Sequence, residues 1–244
     1  MLCADIKGIE RQMLELIKPK AAIVDYGVGN LFSVKHACEK VGLEAVITFS
    51  KQEILNADGV ILPGVGAFGD AMESLKRLDL VGVLKEVAES SKPLIGICLG
   101  MHLLMTESHE FGYCQGLDVI KGSVIRFTNP PDALWKKLKV PHVGWNRIYR
   151  SSVKVNGKAW MNSALEGLKD GEFMYFVHSF YVVPEDPGVV LSKTSYGQIE
   201  FCSSFQYKNI LAFQFHPERS GVQGLNIYEK INHLIIMEKG CLGK

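Results

Sequence analysis

Short apolar runs rich in β-branched residues alternate with amphipathic segments through the first half of the chain. The predicted strands are AAIVDYG, EAVITF, DGVILPG and KPLIGIC. The segments that follow them have helical periodicity and read GNLFSVKHACEKVG, KQEILNA, FGDAMESLKRLDLVGVLKEVAES and LGMHLLMTESHE. Strands joined by crossover helices pair in parallel, because each helix returns the chain to the same end of the sheet. This half therefore predicts a parallel sheet with helices on both faces.

From Tyr113 onward the pattern changes to alternating runs rich in Val, Phe, Tyr and Thr, which predict antiparallel hairpins added to that sheet. These runs are DVIKGSVIRF, KVPHVGWNRIY, EFMYFVHSFYVV and QIEFCSSFQYKNILAFQF, and a final helix is predicted in GLNIYEKINHLIIMEKG. The predicted fold class is α/β, with a doubly wound, mostly parallel sheet and added antiparallel strands. No linker interrupts residues 20–244, which we expect to form one domain. Residues 1–19 form an extension with the apolar spacing of an amphipathic helix.

Composition excludes several classes of function. The 244 residues contain 27 Lys+Arg and 26 Asp+Glu, and no basic block is typical of a nucleic-acid or membrane surface. The six cysteines form no C-x-x-C pair and no metal-spaced cluster with histidine, which favours reduced thiols and predicts no metal site. No apolar run resembles a signal-peptide core or a membrane span. We expect a cytoplasmic protein that needs no cofactor.

The stretch PLIGICLGMHLLM bends from a predicted strand into a predicted helix at Cys98. In a strand-turn-helix elbow, small residues such as Gly96 and Gly100 let the backbones pass closely, and the central side chain is presented to a ligand. The start of the helix stabilises a thiolate, and the backbone N–H of Leu99 is placed to face an oxyanion. Cys98 is therefore a candidate nucleophile, although this pattern alone is equally compatible with an inert buried thiol.

A base for this thiol is predicted in ILAFQFHPERSG, where His216 has a carboxylate two residues further on. A strand that ends at His216-Pro217-Glu218 would send His216 and Glu218 to the same side. Glu218 could then hold one imidazole nitrogen while the other faces Cys98. His-Pro-Glu alone is more often a solvated turn, but its presence together with the elbow favours a Cys-His-Glu triad.

G-I-C-L-G-M around Cys98 and Q-F-H-P-E-R-S-G around His216 together resemble the class I glutamine amidotransferases. IVDYGVGN, LPGVGAFGDAM, KVPHVGWN and YFVHSFYV are similar, in the expected order, to segments of the glutaminase subunits of imidazole glycerol phosphate synthase. The resemblance implies a flavodoxin-like fold and hydrolysis of L-glutamine to glutamate and ammonia, without a cofactor. It also implies a cyclase partner, a (β/α)₈ barrel that uses the ammonia to make imidazole glycerol phosphate and AICAR in histidine biosynthesis.

The resemblance implies roles for further residues. The second oxyanion donor is expected in Gly64-Val65-Gly66, where glycine lets a peptide flip to aim its N–H. A carboxylate twelve residues after the nucleophile, here Glu110, is expected to bind the α-ammonium group of glutamine. The stretch His178-Ser179-Phe180 is expected to bind the substrate through its backbone.

His102 departs from the family pattern, because relatives usually have G-M-Q where this chain has G-M-H. An imidazole cannot offer a donor and an acceptor at one end as an amide does, so glutamine binding could be altered. His102 lies one turn into the predicted elbow helix, and this favours a position near the glutamine-binding site over a role in packing alone. The departure leaves open a paralogue that supplies ammonia for amidination of a bacterial cell-surface sugar.

The segments around Gly27-Val28-Gly29-Asn30 and KVPHVGWN are harder to assign. Without a full G-x-G-x-x-G, the first is not a dinucleotide-binding loop. Taken alone, His142, Trp145 and Asn146 indicate a β-bend in which Trp145 serves as a packing anchor. The resemblance instead implies that Gly27, Asn30, His142, Trp145 and Asn146 lie near the partner interface.

Two further classes of function share features with this chain. Peptidase-like and stress-response proteins also have a cysteine elbow, but they lack His-Pro-Glu near the C-terminus and the PGVG segment. A regulatory or scaffold subunit, with turnover impaired by His102, is the other alternative. The presence of Cys98, His216 and Glu218 favours an enzyme.

Overall fold

The computed structural model describes residues 18–128, 137–151 and 160–242. In the first half, strands and helices alternate as predicted. They are β1 (Lys20–Val24), α1 (Leu31–Lys40), β2 (Glu44–Thr48), α2 (Lys51–Asn56), β3 (Gly59–Gly64), α3 (Phe68–Arg77), α4 (Val81–Glu89), β4 (Leu94–Cys98) and α5 (Leu99–Leu103). Local caps explain two helix starts, since Asn30 and Ser50 accept hydrogen bonds from the backbone N–H groups of Ser33 and Glu53.

The second half consists mostly of strands. They are β5 (Met105–Ser108), β6 (Cys114–Gln115), β7 (Ile120–Arg126), β8 (His142–Arg150), β9 (Glu172–His178), β10 (Phe180–Pro184), β11 (Val190–Tyr196), β12 (Ile199–Tyr207) and β13 (Ile210–Phe213). Short 3₁₀ helices span Pro187–Val189 and Pro217–Arg219, and α6 (Gly221–Leu242) closes the described chain. Strand β11 was not predicted.

The central sheet has the order β2-β1-β3-β4-β13-β12-β11-β8-β9. Strands β2, β1, β3, β4 and β13 pair in parallel, and the remaining neighbours pair antiparallel. Ala22 and Val24 of β1 join the core cluster that contains α2, α3 and α4, whereas Ala21 and Ile23 join the cluster that contains α1 and α6. Because alternate side chains enter opposite cores, the predicted α/β fold with helices on both faces is confirmed.

A second sheet with the order β10-β7-β5-β6 corrects part of the prediction. Strands β7 and β10 belong to this sheet instead of extending the central one. The elbow helix also ends at Leu103, well before the predicted end, and Met105–Ser108 forms a strand. The cause is tertiary, since the carbonyls of Leu103 and Leu104 accept hydrogen bonds from the backbone N–H groups of Leu117 and Val119. A continuing helix would need those carbonyls for itself.

The predicted N-terminal helix lies outside the described residues, which begin just before β1. Within the described ranges, no helix combines the length and the apolar character needed to cross a membrane.

Candidate active site

Three neighbouring parallel strands end side by side at the site. Gly64 at the end of β3 pairs with Cys98 at the end of β4, and Ile97 of β4 pairs with Phe213 at the end of β13. Parallel strands end at the same edge of a sheet, and ligands of open α/β sheets bind outside the carboxyl ends of the strands. This pairing places Cys98 beside the segment that leads from β13 to His216.

The elbow holds Cys98 in a backbone conformation that residues other than glycine rarely adopt, with φ 53° and ψ −106°. A Cβ atom on Gly100 would lie 1.7 Å from the carbonyl oxygen of Leu62, and one on Gly96 would lie 2.9 Å from Leu104 Cδ1. The predicted close passage of backbones is therefore confirmed. The five-residue helix after Cys98 is shorter than predicted, so its dipole supports a thiolate less than a long helix would.

His216 and Glu218 form a buried pair, with 2.8 Å between His216 Nδ1 and Glu218 Oε1 and side chains only 6% and 2% exposed. The backbone of His216 is fixed as well, since its N–H donates to Tyr175 O and its carbonyl accepts from Ser220 Oγ. The prediction that a strand continues through these residues is wrong. Strand β13 ends at Phe213, and the 3₁₀ turn brings Glu218 back to the imidazole.

The charge on His216 is determined by competing effects. Burial alone would lower the pKa of His216, but the negative charge of the Cys98 thiolate and the Glu218 carboxylate outweighs it and raises that pKa to about 10. Glu218 occupies Nδ1, whereas Nε2 is buried without a hydrogen-bond partner in the described residues. Nε2 is thus the nitrogen left for Cys98. The three groups can exist as a thiolate, an imidazolium and a carboxylate in a row.

A cavity of about 600 Å³ opens beside Cys98. It contains most of the predicted site residues, namely Val65, Gly66, Cys98, Leu99, His102, Glu110, His178, Ser179 and Phe180. Gly64 lies behind this lining, where a Cβ atom would meet the hydroxyl of Tyr26 at 2.1 Å. Gly66 has φ +108° and no neighbour within 4 Å of a built Cβ, so the backbone there has room to rearrange.

Glu110 lines the cavity and also stabilises the start of α3. Its Oε2 accepts a hydrogen bond of 2.8 Å from the backbone N–H of Phe68, at the start of α3. Burial raises the pKa of Glu110, and the hydrogen bond from Phe68 only partly opposes this. The carboxylate therefore has a fixed position in the cavity wall.

His178 and His142 form a hydrogen-bonded chain that determines both tautomers. His178 Nδ1 donates to Phe180 O at 2.8 Å, so His178 Nε2 accepts from His142 Nδ1 at 3.0 Å. Asn146 Nδ2 then donates to His142 Nε2 at 3.2 Å. Burial lowers the pKa of both histidines, that of His142 to about 4. Because the ring of His178 is committed to this chain, His178 itself can offer a ligand only its backbone.

The other residues expected at an interface do not line the cavity. Asn30 caps α1, and Gly27 takes a positive φ of +92° in the turn after β1. Trp145 is 56% exposed, so the expectation that it serves as a packing anchor is wrong. Its ring makes an edge contact with Tyr175, at 6.0 Å between ring centroids, and otherwise offers an apolar surface.

Three residues at the site were missed in the sequence. Tyr26 donates from its hydroxyl to Pro63 O at 2.6 Å, and it supports the end of β3. Arg126 is the single Lys or Arg among the described residues that line the cavity, and its guanidinium forms no ion pair with the described residues. Gln214 is fully buried and donates from Nε2 to Cys98 Sγ at 3.8 Å. Gln214 stands directly before the F-H-P-E motif, which was the available signal; Arg126 had none.

Comparisons with known proteins show the family to which this chain is similar. The family model described as glutamine amidotransferase class-I matches residues 22–231. A protein of Aquifex aeolicus named imidazole glycerol phosphate synthase subunit HisH is 46% identical over 211 residues, which are 86% of this chain and 94% of that protein. A protein of the same name from Geobacter metallireducens is 48% identical, with 84% of this chain and 94% of that protein covered. One from Archaeoglobus fulgidus is 45% identical, with 88% of this chain and 98% of that protein covered.

Solved structures with the same fold are more distant in sequence. A putative GMP synthase protein from Thermoplasma acidophilum has a TM-score of 0.67 at 16% identity, with 93% of this chain and 99% of that chain covered. The structure of PurLQS from Thermotoga maritima has a TM-score of 0.64 at 20% identity, with 91% and 99% covered. At these identities, the likeness supports the fold alone.

Proposed function

The chain belongs to the class-I glutamine amidotransferases, and we propose that it hydrolyses L-glutamine through Cys98, His216 and Glu218 as the glutaminase subunit of an imidazole glycerol phosphate synthase. The observation that supports these catalytic roles best is the buried His216–Glu218 pair beside a cysteine elbow, at the carboxyl ends of β4 and β13. The subunit role follows the name carried by relatives that are 42% to 48% identical.

The reaction begins with attack by the Cys98 thiolate on the side-chain carbonyl carbon of glutamine. The resulting tetrahedral intermediate collapses as the imidazolium of His216 gives its proton to the leaving nitrogen, so ammonia departs and a thioester remains. Neutral His216 then removes a proton from water, which attacks the thioester. Glutamate leaves and the thiolate–imidazolium pair is restored. Glu218 keeps Nδ1 of His216 protonated and stabilises its positive charge in each cycle.

The oxyanion of each intermediate needs preorganised N–H donors. Leu99 provides one from the residue after the nucleophile, and the segment Gly64-Val65-Gly66 provides the other. Both Val65 and Gly66 border the cavity, and the open surroundings of Gly66 permit a peptide to turn toward the oxyanion. Rearrangement of this segment is a means by which a partner could switch the glutaminase on.

The two charged groups on the α-carbon of glutamine have complementary partners in the cavity wall. Glu110 binds the α-ammonium group, and Arg126 binds the α-carboxylate. The backbone of Ser179 and Phe180 leads from Cys98 toward Arg126, because Val177 O lies 3.8 Å from Cys98 Sγ and Phe180 pairs with Arg126 across β10 and β7. This arrangement selects free glutamine over a glutamine within a peptide.

The ammonia passes to a cyclase partner, a (β/α)₈ barrel that makes imidazole glycerol phosphate and AICAR in histidine biosynthesis. In this proposal residues 20–244 form the amidotransferase domain, and residues 1–19 are an extension that is not needed for the chemistry. Exposed Trp145, together with His142, Asn146, Gly27 and Asn30, belongs to the side of the molecule that meets the barrel. The free thiols of Cys38, Cys114 and Cys202 suit a protein of the reducing cytoplasm.

The alternatives have less support. The curated relatives described above carry the histidine-pathway name, so a cell-surface sugar paralogue is not favoured. A regulatory subunit without activity would not need His216 and Glu218 paired in a buried site beside Cys98.

The test is glutamate release from the chain alone, from the chain with the barrel, and from the chain with the barrel and its nucleotide substrate. We expect low basal turnover that rises strongly only in the third mixture. Cys98→Ser should reduce turnover there by at least about 10³-fold while barrel binding, measured by calorimetry, persists. Full activity of the isolated chain would contradict the switching role of Gly64-Val65-Gly66. Unchanged turnover of Cys98→Ser would contradict the mechanism.

A further inference from the structure

His102 contacts a residue that contacts the nucleophile. His102 Nε2 and Gln214 Oε1 are 2.7 Å apart, and Gln214 Nε2 lies 3.8 Å from Cys98 Sγ. Gln214 is fully buried, and His102 is 5% exposed. These side chains come from different elements, α5 and the segment after β13, and His102 also lines the cavity.

The direction of the first hydrogen bond follows from the chemistry of its atoms. The Oε1 atom of an amide can only accept, so Nε2 of His102 must carry the proton. Burial lowers the pKa of His102 to about 4, so the ring is neutral at physiological pH and its Nδ1 is unprotonated. With Oε1 of Gln214 committed to His102, the NH₂ group of the amide is the end that faces Cys98.

The opposite orientation of Gln214 would be harmful to the nucleophile. A flipped amide would turn the lone pairs of Oε1 toward a thiolate, where they repel it, and would require His102 to carry its proton on Nδ1 instead of Nε2. An N–H donor next to sulfur stabilises the thiolate instead. The orientation of one buried amide therefore affects how much of Cys98 is in the reactive form.

We infer that His102 is a positioning residue, whose Nε2–H holds the carboxamide of Gln214 so that its NH₂ group donates to the thiolate of Cys98. This inference gives a role to the histidine that replaces the usual glutamine of the family pattern. It rests on the proposed function only in treating Cys98 as the nucleophile. The acidity of the thiol can be measured without glutamine, barrel or turnover.

The titratable groups packed around this part of the cavity come from several elements. They are Tyr26 after β1, His102 on α5, His178 at the end of β9, and His216 with Glu218 after β13. Among these groups, His102 is the one that hydrogen-bonds to the amide of Gln214 in the described residues. Substitution of His102 and of Gln214 therefore separates their contribution from that of the others.

The experiment measures the pH dependence of the alkylation rate of Cys98 by iodoacetamide, with the labelled peptide quantified by mass spectrometry. Gln214→Leu removes the donor and should raise the midpoint by about one pH unit. His102→Leu should raise it by a similar amount, because the amide is then free to flip. His102→Gln should return the midpoint to within about 0.3 unit of the wild type, since an amide N–H can replace the imidazole N–H. The double variant should shift no further than either single Leu variant.

His233→Leu is the matched control, because it makes the same substitution on α6 outside the cavity lining and should leave the midpoint unchanged. The inference is overturned if His102→Leu keeps the wild-type midpoint, or if the shifts of His102→Leu and Gln214→Leu simply add. If a Leu variant does not fold, the ¹⁵N chemical shifts of His102 in the wild-type protein decide the matter. A proton on Nε2 supports the inference, and a proton on Nδ1 overturns it. If the variants shift the alkylation midpoint as expected but the wild-type protein does not hydrolyse glutamine, the proposed function fails while this inference stands.

Discussion

Replacing Glu218 by glutamine removes the negative charge beside His216 and keeps the shape of the side chain. The Nδ1–Oε1 distance is 2.8 Å, and the two side chains are 6% and 2% exposed, so solvent screens this pair little. A hydrogen bond between charged groups in such a place contributes about 1.5–3 kcal/mol, which corresponds to about one to two pKa units. We therefore expect Glu218→Gln to lower the pKa of His216 by that amount from its raised value of about 10.

The same loss affects catalysis and stability. A less stabilised imidazolium should reduce kcat for glutamine by about 10- to 100-fold. Because the folded-state pKa of His216 lies above the unfolded value of 6.5, its protonation stabilises the fold fully below that pH, and this contribution disappears as the pH rises through about 10. The difference in the free energy of unfolding between wild type and Glu218→Gln should therefore be largest near and below neutral pH and shrink toward pH 10.

The pKa is measured by NMR titration of the His216 ring, and kcat by glutamate release with the barrel and its ligand. Glu107→Gln is a matched control, because Glu107 Oε1 contacts His109 Nε2 at 3.2 Å but the side chains are 32% and 53% exposed. An exposed pair contributes only about 0–1 kcal/mol. If Glu218→Gln leaves the His216 pKa within about 0.3 unit and kcat within about twofold, Glu218 is not the group that stabilises the imidazolium.

Three other changes test separate parts of the structure. Gly100→Ala should destabilise the fold by about 1–3 kcal/mol in urea denaturation, because its Cβ would lie 1.7 Å from Leu62 O. The control is Gly82→Ala, in a helix with open space around it, which should stabilise the fold by about 0.5–1 kcal/mol. Equal effects of the two substitutions would contradict the packing argument. Arg126→Gln should raise KM for glutamine about tenfold with kcat nearly unchanged in steady-state assays, and an unchanged KM would remove the α-carboxylate role. Deletion of residues 1–19 should lower the melting temperature at most, so loss of turnover in a folded protein would show that the extension takes part in the chemistry.

Much of the fold could be predicted from the sequence, because strand and helix periodicity reflect local burial. The alternation in β1 between two cores, the helices between the parallel strands, and the tight elbow at Cys98 all agree with the structure. The elbow helix was predicted too long, since its periodicity continues past Leu103. It ends there because the segment between β6 and β7 donates hydrogen bonds to the carbonyls of Leu103 and Leu104.

The candidate site, like the fold, could be predicted from the sequence only in part. The residue types of the triad were evident in the sequence, because a nucleophile elbow and His-Pro-Glu are local patterns. Their proximity depends on the parallel pairing of β4 with β13, a contact between segments far apart in the chain. Local periodicity reports which face of a strand is buried, but not which strand lies beside it.

Two features were decided by the tertiary structure alone: the approach of Arg126 to the cavity and the contact of His102 with Gln214. In both, packing between elements sets the position of the side chains. The contact of Glu218 with His216 was expected from the sequence, but a 3₁₀ turn makes it instead of a strand. The sequence by itself determined which chemical groups are available and on which local faces they lie. The tertiary structure determined which of them meet, because hydrogen bonds and charge interactions act over a few ångströms of space and not along the chain.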